Sequence, residues 1–376
     1  MLLVIMIGIN KNIFSMKNKY MTQMTKRFKT NYCKQGTKKY NMLRSFIKRC
    51  IPKLDPNKHK GQCGRIAVLG GSETYVGAPY YAAYAALISG ADLLYLFTAT
   101  EAASAIKSFS PELMVEPVYS CLDTTQSPDS ISEPVVSKLN RIHALCIGPG
   151  LGRHEHVFNG VKKIIMAANK IDLPTVIDAD GLFLVTHDLD LIRGQKNVVL
   201  TPNIIEFKRL CKALDIDEPA NNIELQDLLG KVESVAEALG NVNVILKGGN
   251  DIISNGNWTE FTTEIGGLRR SGGKGDILAG LITLACGWAS IADADGAKEK
   301  YITYKNGLTT ELEIEGDDEH GCDEYYPYMW ASYFGSTVAK RADRLAFNEK
   351  GRGMTTPDMF KYLGQVVEQL CPSPKM

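Results

Sequence analysis

The sequence predicts an α/β fold, built as a three-layer α/β/α sandwich around a mostly parallel sheet. From residue 64 onward, short and continuously apolar runs alternate with longer helical patterns. Continuous rather than alternating apolar runs are typical of parallel strands that are covered on both faces. The strand candidates are residues 65–69, 93–97, 144–147, 175–177, 198–200 and 244–246.

A second observation also predicts this fold: glycine or polar residues directly follow nearly every strand candidate. Ligands of doubly wound sheets bind outside the carboxyl ends of the strands, so these segments are the expected lining of a site. Asp178 and Asp180 either cap their loop or contact a metal or substrate. The segments are Gly70-Gly71, Gly148-Pro149-Gly150, Asp178-Ala179-Asp180-Gly181, Thr201-Pro202-Asn203 and Lys247-Gly248-Gly249.

A β-hairpin is the exception to the parallel pattern. Asn255-Gly256 separates two apolar runs in residues 251–261, and this dipeptide favours a tight hairpin turn. No repeat or interdomain linker is evident, so residues 45–370 are expected to form one domain, followed by a tail at 371–376.

The first 44 residues are predicted to be a leader outside the fold. Residues 1–54 hold thirteen Lys or Arg and no acidic residue, which leaves 30 basic and 42 acidic residues in the remainder. An acidic body argues against nucleic acid as the partner. The leader resembles a mitochondrial transit peptide or an extension from an early start codon, so a cytoplasmic or mitochondrial location is expected, without a membrane anchor. Nine scattered cysteines without a Cys-x-x-Cys pair favour reduced thiols.

A glycine-rich segment before an apolar helix is the most informative part of the chain. Gly272, Gly273 and Gly275 form a run that can take positive φ and let backbone approach a ligand closely. They lead into an almost wholly apolar helix predicted at 277–288, whose N-terminal N–H groups and dipole favour a phosphate. Asp276 lies in the first turn, where the dipole stabilises its carboxylate and where it can accept a hydroxyl proton.

An ordinary capped helix is the alternative interpretation of this segment, with Asp276 as the N-cap. Arg269 and Arg270 just upstream, together with the density of glycines, favour the phosphate site. A Walker A loop is excluded because Lys274 is followed by Gly275 rather than Ser or Thr. A dinucleotide-binding fingerprint is also missing, since no strand here leads into Gly-x-Gly-x-x-Gly.

Three further segments carry candidate site residues. Asn203 and Glu206 have the spacing of a helix capping box, or Glu206 helps to bind Mg²⁺ through water. Residues 247–251 form either a glycine-rich turn or a close backbone contact with a nucleotide, with Lys247 as a charge for phosphate. His154-Glu155-His156 resembles a metal pair, but adjacent loop histidines are usually solvated, and it is assigned no site role.

Eight motifs in order resemble the eukaryotic ATP-dependent (S)-NAD(P)H-hydrate dehydratase family over about residues 50–365. That family has the ribokinase-like fold, in agreement with the strand–helix alternation. The motifs are His59-Lys60-Gly61-Gln62; Gly70-Gly71 with Gly77-Ala78-Pro79; Ser110-Pro111-Glu112-Leu113; Gly148-Pro149-Gly150-Leu151-Gly152-Arg153; Asp178-Ala179-Asp180-Gly181; Thr201-Pro202-Asn203 with Glu206-Phe207; Lys247-Gly248 with Asp251-Ile252; and Arg269-Arg270 with Gly272-Gly273-Lys274-Gly275-Asp276.

The resemblance implies ATP-dependent repair of NADH and NADPH that have been hydrated at the nicotinamide ring (NADHX and NADPHX). ATP phosphorylates the ring hydroxyl, and phosphate then leaves to restore the cofactor. Asp276 resembles the base. The implied substrate-binding residues are Gly150, Asn203, Ile204, Ile205, Glu206, Phe207, Lys208, Arg209 and Asp276. The implied ATP-binding residues are Lys247, Gly248, Gly249, Asn250, Asp251, Gly267, Leu268, Arg269, Arg270, Ser271, Gly272, Gly273, Lys274 and Gly275. Mg²⁺ is expected with ATP, and a homo-oligomer is left open.

The chain departs from the family pattern at Lys274, where an uncharged residue is usual. A charge in the anion cradle is expected to alter release of phosphate or ADP. Residues 311–328, acidic and rich in Tyr, are expected to form an enlarged surface loop. Two rivals stay open from the residues alone: a ribokinase-like kinase of a vitamin precursor or sugar, and a non-catalytic nucleotide-binding protein.

Overall fold

A nine-stranded sheet forms the centre of the protein. The computed structural model describes residues 43–294 and 326–374, and those from Phe46 onward belong to one compact unit. Within these residues the strand order is β3-β2-β1-β4-β5-β6-β7-β8-β9. The strands are β1 (Arg65–Leu69), β2 (Leu93–Ala99), β3 (Met114–Tyr119), β4 (Ala144–Ile147), β5 (Thr175–Ile177), β6 (Val198–Leu200), β7 (Asn243–Leu246), β8 (Ile252–Ser254) and β9 (Thr259–Phe261).

Helices cover the sheet and connect its parallel strands. In the described ranges they are α1 (43–50), α2 (Gly77–Ile88), α3 (Thr100–Phe109), α4 (Pro128–Val136), α5 (Glu155–Lys170), α6 (Ala179–Thr186), α7 (Ile204–Ala213), α8 (Leu225–Ala238), α9 (Lys274–Ala294), α10 (Pro327–Lys350) and α11 (Phe360–Leu370). Every residue of β4, β5, β6 and β7 is buried, because helices pack on both faces of these strands.

The strand order reverses between β1 and β4. Strands β1 to β7 pair in parallel, while β8 and β9 are antiparallel. The chain runs outward from β1 through β2 to β3 and then returns to β4 on the other side of β1. A reversal of this kind opens a crevice at the carboxyl ends of the strands, where ligands bind in such folds.

The predicted mostly parallel α/β fold and the hairpin at 255–256 are confirmed, and one strand was missed. All six strand candidates are strands, and β8 and β9 flank Asn255-Gly256. The missed strand, β3, contains Glu116 and Pro117 and pairs only with β2. An edge strand tolerates Pro and exposed polar residues, so it lacks the continuous apolar signal of a central strand.

The apolar helix α9 lies in the core. It packs against α2 and α10 and contacts β1, β4 and β5. A Cβ on Gly280 would lie 2.0 Å from the carbonyl oxygen of Ala82, so only glycine permits this close crossing of α2. In the described part of the chain α9 is the one helix that is long and apolar enough to cross a membrane, and most of it is buried in the protein.

Some predictions concern residues outside the described ranges. The leader at 1–44 falls there except for its last two residues, as does most of the loop predicted at 311–328. Pro327 and Tyr328 are an exception, because they form the first turn of α10 rather than part of a loop. Proline at a first helical position is favourable, since its missing N–H would have no partner there. None of the seven cysteines in the described residues forms a disulfide bond.

Candidate active site

Four charged side chains meet at the carboxyl ends of β5, β6 and β7. Asp178 directly follows β5, Glu206 lies in the first turn of α7 after β6, and Lys247 directly follows β7. Asp276 joins them from the first turn of α9. We call these four residues the proton-transfer cluster. It contains three carboxyl groups and one amine.

Lys247 is the centre of the proton-transfer cluster. Its Nζ lies 2.6 Å from Asp178 Oδ1, and the Asp178 side chain is only 2% exposed. The same amine lies 3.4 Å from the place that a Cβ of Gly275 would occupy, so it reaches the N-terminus of α9. Asp178, Glu206 and Asp276 all raise the pKa of Lys247 against the effect of burial. The lysine is therefore held as a cation beside the glycine-rich loop.

Asp276 has a strongly raised pKa. Burial, then the negative charge of Asp178, raise it from 3.8 to about 8, while Lys247 opposes the change. The expected stabilisation of this carboxylate by the helix dipole is therefore outweighed, because desolvation penalises the charged form more. A carboxyl group that titrates near neutral pH is suited to accept a proton from an alcohol.

Glu206 takes part in a capping box and in the proton-transfer cluster. Its Oε2 accepts a hydrogen bond from the N–H of Asn203 at 2.8 Å, and Asn203 Oδ1 accepts from the N–H of Ile205 and Glu206. Burial raises the pKa of Glu206, and Lys247 partly offsets this. The capping interpretation is confirmed, and it places the carboxyl group among the other charges.

The glycine-rich loop differs in detail from the expectation. Only Gly273 has a positive φ, of +91°, whereas Gly275 is already part of α9, which begins at Lys274 rather than at Ile277. Gly272 is exposed, and a Cβ there would meet nothing within 4 Å. The loop thus leaves open space in front of the first N–H groups of α9, which have no partners within the helix.

Two elements distant in sequence fix the glycine-rich loop. Thr356 donates a hydrogen bond of 2.5 Å to the carbonyl oxygen of Gly272, and its hydroxyl lies 3.1 Å from Ser271 Oγ. A Cβ on Gly273 would lie 2.6 Å from the ring of Tyr81 in α2. Neither Thr356 nor Tyr81 was predicted, because nothing local in the sequence connects them to residues 271–273.

Lys274 is directed to an ion pair. Its Nζ lies 2.5 Å from Asp343 Oδ1 in α10 and donates to the carbonyl oxygen of Arg269 at 2.6 Å. The second oxygen of Asp343 accepts from the N–H of Gly267 at 2.9 Å. The charge of Lys274 is thus neutralised by a partner, and the same aspartate positions residues 267–274.

Residues 247–251 are held in a similar way. Asp251 is 3% exposed and accepts hydrogen bonds from the N–H of Gly248 and from the hydroxyl of Ser336. Lys340 Nζ lies 3.1 Å from Asp251 Oδ1 and donates to the carbonyl oxygens of Gly248 and Gly249. Asp251 therefore shapes the exposed turn from within the protein, where a nucleotide cannot reach it.

We call Asp251, Lys274, Lys340 and Asp343 the α10 support cluster. It holds both segments that were predicted to bind ATP. Ser336, Lys340, Asp343 and Phe347, the α10 residues that touch these segments, recur at helical spacing. This spacing could have indicated a functional face on α10, but no residue of α10 was predicted to belong to the site.

The other predicted ATP-binding residues are partly exposed. Leu268 is 79% exposed, Arg270 is exposed, and Arg269 Nη1 donates to the carbonyl oxygen of Arg352. Asn250 donates to the carbonyl oxygen of Thr262 at 2.7 Å. The segment at 267–270 and the turn at 248–250 share the support of α10, through Asp343 and Lys340 respectively.

The predicted substrate-binding residues divide into exposed and buried members. Ile204 and Ile205 are 42% and 60% exposed, and Arg209 is also exposed. Phe207 has no exposed surface, so it packs in the core and cannot contact a substrate. Lys208 donates to Asn221 Oδ1 at 3.2 Å.

Gly150 lies at the point where the strand order reverses. A Cβ there would lie 2.8 Å from Tyr75 Cβ, and the Tyr75 side chain is 56% exposed. Asp180 accepts hydrogen bonds from the N–H of Gly152 and from Arg153 Nε. The loop-capping interpretation is therefore correct for Asp180, whereas Asp178 belongs to the proton-transfer cluster.

Comparisons with known proteins identify the family. The sequence profile of the NAD(P)H-hydrate dehydratases matches residues 66–303, which is more than half of the chain. The chain belongs to the NAD(P)H-hydrate dehydratase family. Curated ATP-dependent (S)-NAD(P)H-hydrate dehydratases resemble it closely: the Aspergillus fumigatus protein is 37% identical over 88% of this chain and 94% of its own length. The human protein is 39% identical over 86% of this chain and 83% of its own length.

Solved structures confirm the ribokinase-like fold of this NAD(P)H-hydrate dehydratase family member. A Bacillus subtilis ADP/ATP-dependent NAD(P)H-hydrate dehydratase, co-crystallised with ATP and Mg²⁺, superposes with a TM-score of 0.57 at 18% identity. The match covers 87% of this chain and 97% of that one. A ribokinase-like superfamily protein from Enterococcus faecalis gives a TM-score of 0.62 at 17% identity, over 87% and 95% of the two chains.

Proposed function

We propose that this protein is an ATP-dependent (S)-NAD(P)H-hydrate dehydratase that restores NADH and NADPH from NADHX and NADPHX. One observation carries the proposal: Asp276, with a pKa of about 8, directly follows the glycine-rich loop in the first turn of α9, where the charge of Lys247 acts on it. A general base beside an anion-binding helix N-terminus is what phosphorylation of an alcohol requires. The family membership and the names of the curated relatives support the same activity.

The reaction proceeds in two steps that share one anion site. Asp276 accepts the proton of the ring hydroxyl, whose oxygen attacks the γ-phosphorus of ATP, and the bond to ADP breaks. The carbon–oxygen bond of the phosphate ester then breaks, and phosphate leaves with the bonding electrons. The neighbouring ring carbon loses a proton to solvent, and the electrons of that C–H bond form the double bond of the nicotinamide. Phosphate departs where hydroxide would not, because it is the better leaving group.

Residues around Asp276 stabilise the charge that develops on the transferred phosphoryl group. The N–H groups at the start of α9 and the exposed backbone at Gly272 offer hydrogen bonds to its oxygens. Lys247 adds a fixed positive charge within reach of Gly275. Because these groups are already in place, they require little reorganisation as the reaction occurs.

The proton-transfer cluster also fits a magnesium ion. Three carboxyl groups share one amine there, and burial and Asp178 raise the pKa of Glu206, so added positive charge is favourable. Oxygen donors are the ligands that Mg²⁺ prefers, and it usually keeps several waters. Asp178 and Glu206 would hold the hydrated ion, which neutralises charge on the ATP phosphates when bound.

Exposed apolar side chains provide a surface for the nicotinamide ring. Ile204 and Ile205 lie in the first turn of α7, next to Glu206. Tyr75 packs against Gly150, because the lack of a side chain at Gly150 lets the loop that carries Tyr75 approach closely. Burying the apolar part of the ring against such side chains contributes to binding through the hydrophobic effect.

Incubation with (S)-NADHX, ATP and Mg²⁺ tests the proposal. The dehydratase should restore the absorbance of reduced nicotinamide and release one ADP and one phosphate for each NADH formed. Asp276→Asn should lower turnover by about 10²–10⁴-fold, the typical contribution of a general base, with ATP binding retained. A kinase would instead accumulate a stable phosphate ester without that absorbance, and a binding protein would produce no ADP.

A further inference from the structure

Three metal-ligating side chains meet on the other side of the strand-order reversal. Glu73 comes from the loop after β1, Cys121 from the segment after β3, and His154 from the end of the loop that leads into α5. One potential ligand atom from each lies within 4.8 Å of the other two. His154 Nε2 is 3.2 Å from Glu73 Oε1, and the Cys121 sulfur lies within 4.8 Å of a ligand atom of each.

We propose that Glu73, Cys121 and His154 form a binding site for a divalent transition metal of the Zn²⁺ type. A thiolate, an imidazole and a carboxylate are the three side-chain ligands that zinc uses, and a water molecule completes the tetrahedron. Mg²⁺ prefers oxygen ligands alone, so this site and the proton-transfer cluster select different metals. On binding, the thiol loses its proton to solvent.

The three ligands are held in place by their neighbours. The hydroxyl of Tyr119 donates to the carbonyl oxygen of Gly71 at 2.5 Å, which ties the end of β3 to the loop that carries Glu73. Glu101 Oε2 accepts from the N–H of Cys121 at 3.2 Å. Supporting contacts of this kind orient metal ligands and lower the cost of assembling a site.

Burial and charge also favour a cation at this place. Cys121 is 2% exposed, whereas Glu73 is exposed and His154 is partly exposed, so the sulfur lies inside and an ion can enter from solvent. Glu73 and Glu101 place two carboxylates around the thiol, with no Lys or Arg among their hydrogen-bond partners in the described residues. A bound cation would reduce their mutual repulsion.

The proposed metal site lies next to Tyr75, which packs against the predicted substrate-binding residue Gly150. Ser72 and Tyr75 close the turn that carries Glu73, through the N–H of Ser72 to the carbonyl oxygen of Tyr75 at 3.3 Å. The same Tyr75 packs against Gly150. A metal on Glu73 would therefore tie this turn to the ends of β3 and β4.

Titration of the tag-free full chain with Co²⁺ tests the site. Cobalt bound to a thiolate gives a near-ultraviolet charge-transfer band, which should saturate at one equivalent and disappear when Zn²⁺ is added. Cys121→Ser should abolish the band, whereas Cys371→Ser, which removes a partly exposed cysteine elsewhere, should leave it unchanged. A band that persists in Cys121→Ser, or no band in the wild-type protein, would overturn the proposal.

A second variant separates metal binding from a folding defect at the buried cysteine. His154→Gln removes a partly exposed ligand and should fold normally. It should weaken Zn²⁺ binding by at least about 10–100-fold, the loss seen even for supporting contacts. Calorimetry measures this directly, and Zn²⁺ should raise the melting temperature of the wild-type protein more than that of the variant. Equal affinity in the variant would contradict the assignment, whatever the effect of zinc on turnover.

Discussion

The proton-transfer cluster and the α10 support cluster are built from the same residue types and differ in charge balance. In the first, three carboxyl groups share the Lys247 amine. In the second, each aspartate has its own lysine: Asp251 pairs with Lys340 at 3.1 Å and Asp343 with Lys274 at 2.5 Å. Each of these aspartates also accepts a backbone N–H.

Because of this difference in charge balance, the same kinds of side chain fix loop backbone in one cluster and titrate in the other. One cation for each carboxylate, with the remaining oxygens hydrogen-bonded, fixes the backbone of the loops at 248–250 and 267–274. Burial, together with three carboxyl groups that share one amine, instead raises the pKa of Asp276 and Glu206, so the cluster can take up a proton or, as we propose, a metal ion. Substitutions at Lys247, Lys340, Asp276 and Thr356 test whether charge balance distinguishes the site from its supporting loops.

Lys247→Met should have the largest effect on stability. Methionine keeps the apolar stem but leaves Asp178, which is 2% exposed, without its counterion. Removing one partner of a buried ion pair costs about 3–5 kcal/mol, which urea denaturation measures as a lower free energy of unfolding. The matched control, Lys361→Met, disrupts an exposed pair with Glu349 and should change little. Equal values for the two variants would remove Lys247 from its central role.

Lys340→Met should cost less than the same change at Lys247. Asp251 retains its hydrogen bonds from Gly248 and Ser336, so it is not left unsatisfied. The loss of a charged hydrogen bond predicts about 1.5–3 kcal/mol in the free energy of unfolding. Because the carbonyl oxygens of residues 248 and 249 lose their donor, KM for ATP should rise while kcat is nearly unchanged. A large fall in kcat would show that the support cluster acts in the chemistry.

Asp276→Asn should change how stability depends on pH. The folded pKa of about 8 exceeds the ordinary value of 3.8, so between these values the folded protein holds a proton that the unfolded chain releases. Wild-type stability should therefore fall as pH rises through this range, by at most about 1.4 kcal/mol per pH unit from this group. The variant should lose that part of the slope, whereas Asp129→Asn at an exposed site should keep it.

The titration of Asp276 should also determine how the reaction rate depends on pH. The general base acts when deprotonated, so kcat/KM of the wild-type enzyme should rise as pH increases through about 8. An ascending limb near 4 instead would mean that Asp276 is not desolvated in the free enzyme. Substrate-saturated kcat reports the bound state, and the two profiles should be measured separately.

Thr356→Val should have the smallest effect. It removes one hydroxyl that donates to Gly272 and contacts Ser271, worth about 1 kcal/mol. If that energy holds the loop for ATP, the affinity for ATP should fall by roughly fivefold. Thr337→Val is the control, because its hydroxyl bonds within α10 to the carbonyl oxygen of Tyr333. A similar loss of affinity in the control would indicate a general effect on stability.

Local patterns explain why much of the fold could be predicted. Strands β4 to β7 are apolar except at the first residue of β5 and of β7, the α7 capping box needs only Asn203 and Glu206 at fixed spacing, and the hairpin turn needs Asn255-Gly256. Strand β3 was missed because its position at the sheet edge, unlike its composition, is not a local property. The sequence places His154 beside His156, whereas in the folded protein it also lies close to Glu73 and Cys121, which are distant in the chain.

The sequence by itself determined the sheet, the apolar helix α9 and the placing of Asp276 in its first turn, since periodicity and glycine content act over a few residues. Tertiary structure alone decided which charges meet: Asp178 with Lys247, Lys274 with Asp343, Lys340 with Asp251. It also reversed the expected effect on Asp276, whose pKa rises despite the helix dipole. The physical reason is that burial and the nearness of other charges are set by segments far apart in the chain, and the pKa follows them rather than the local sequence.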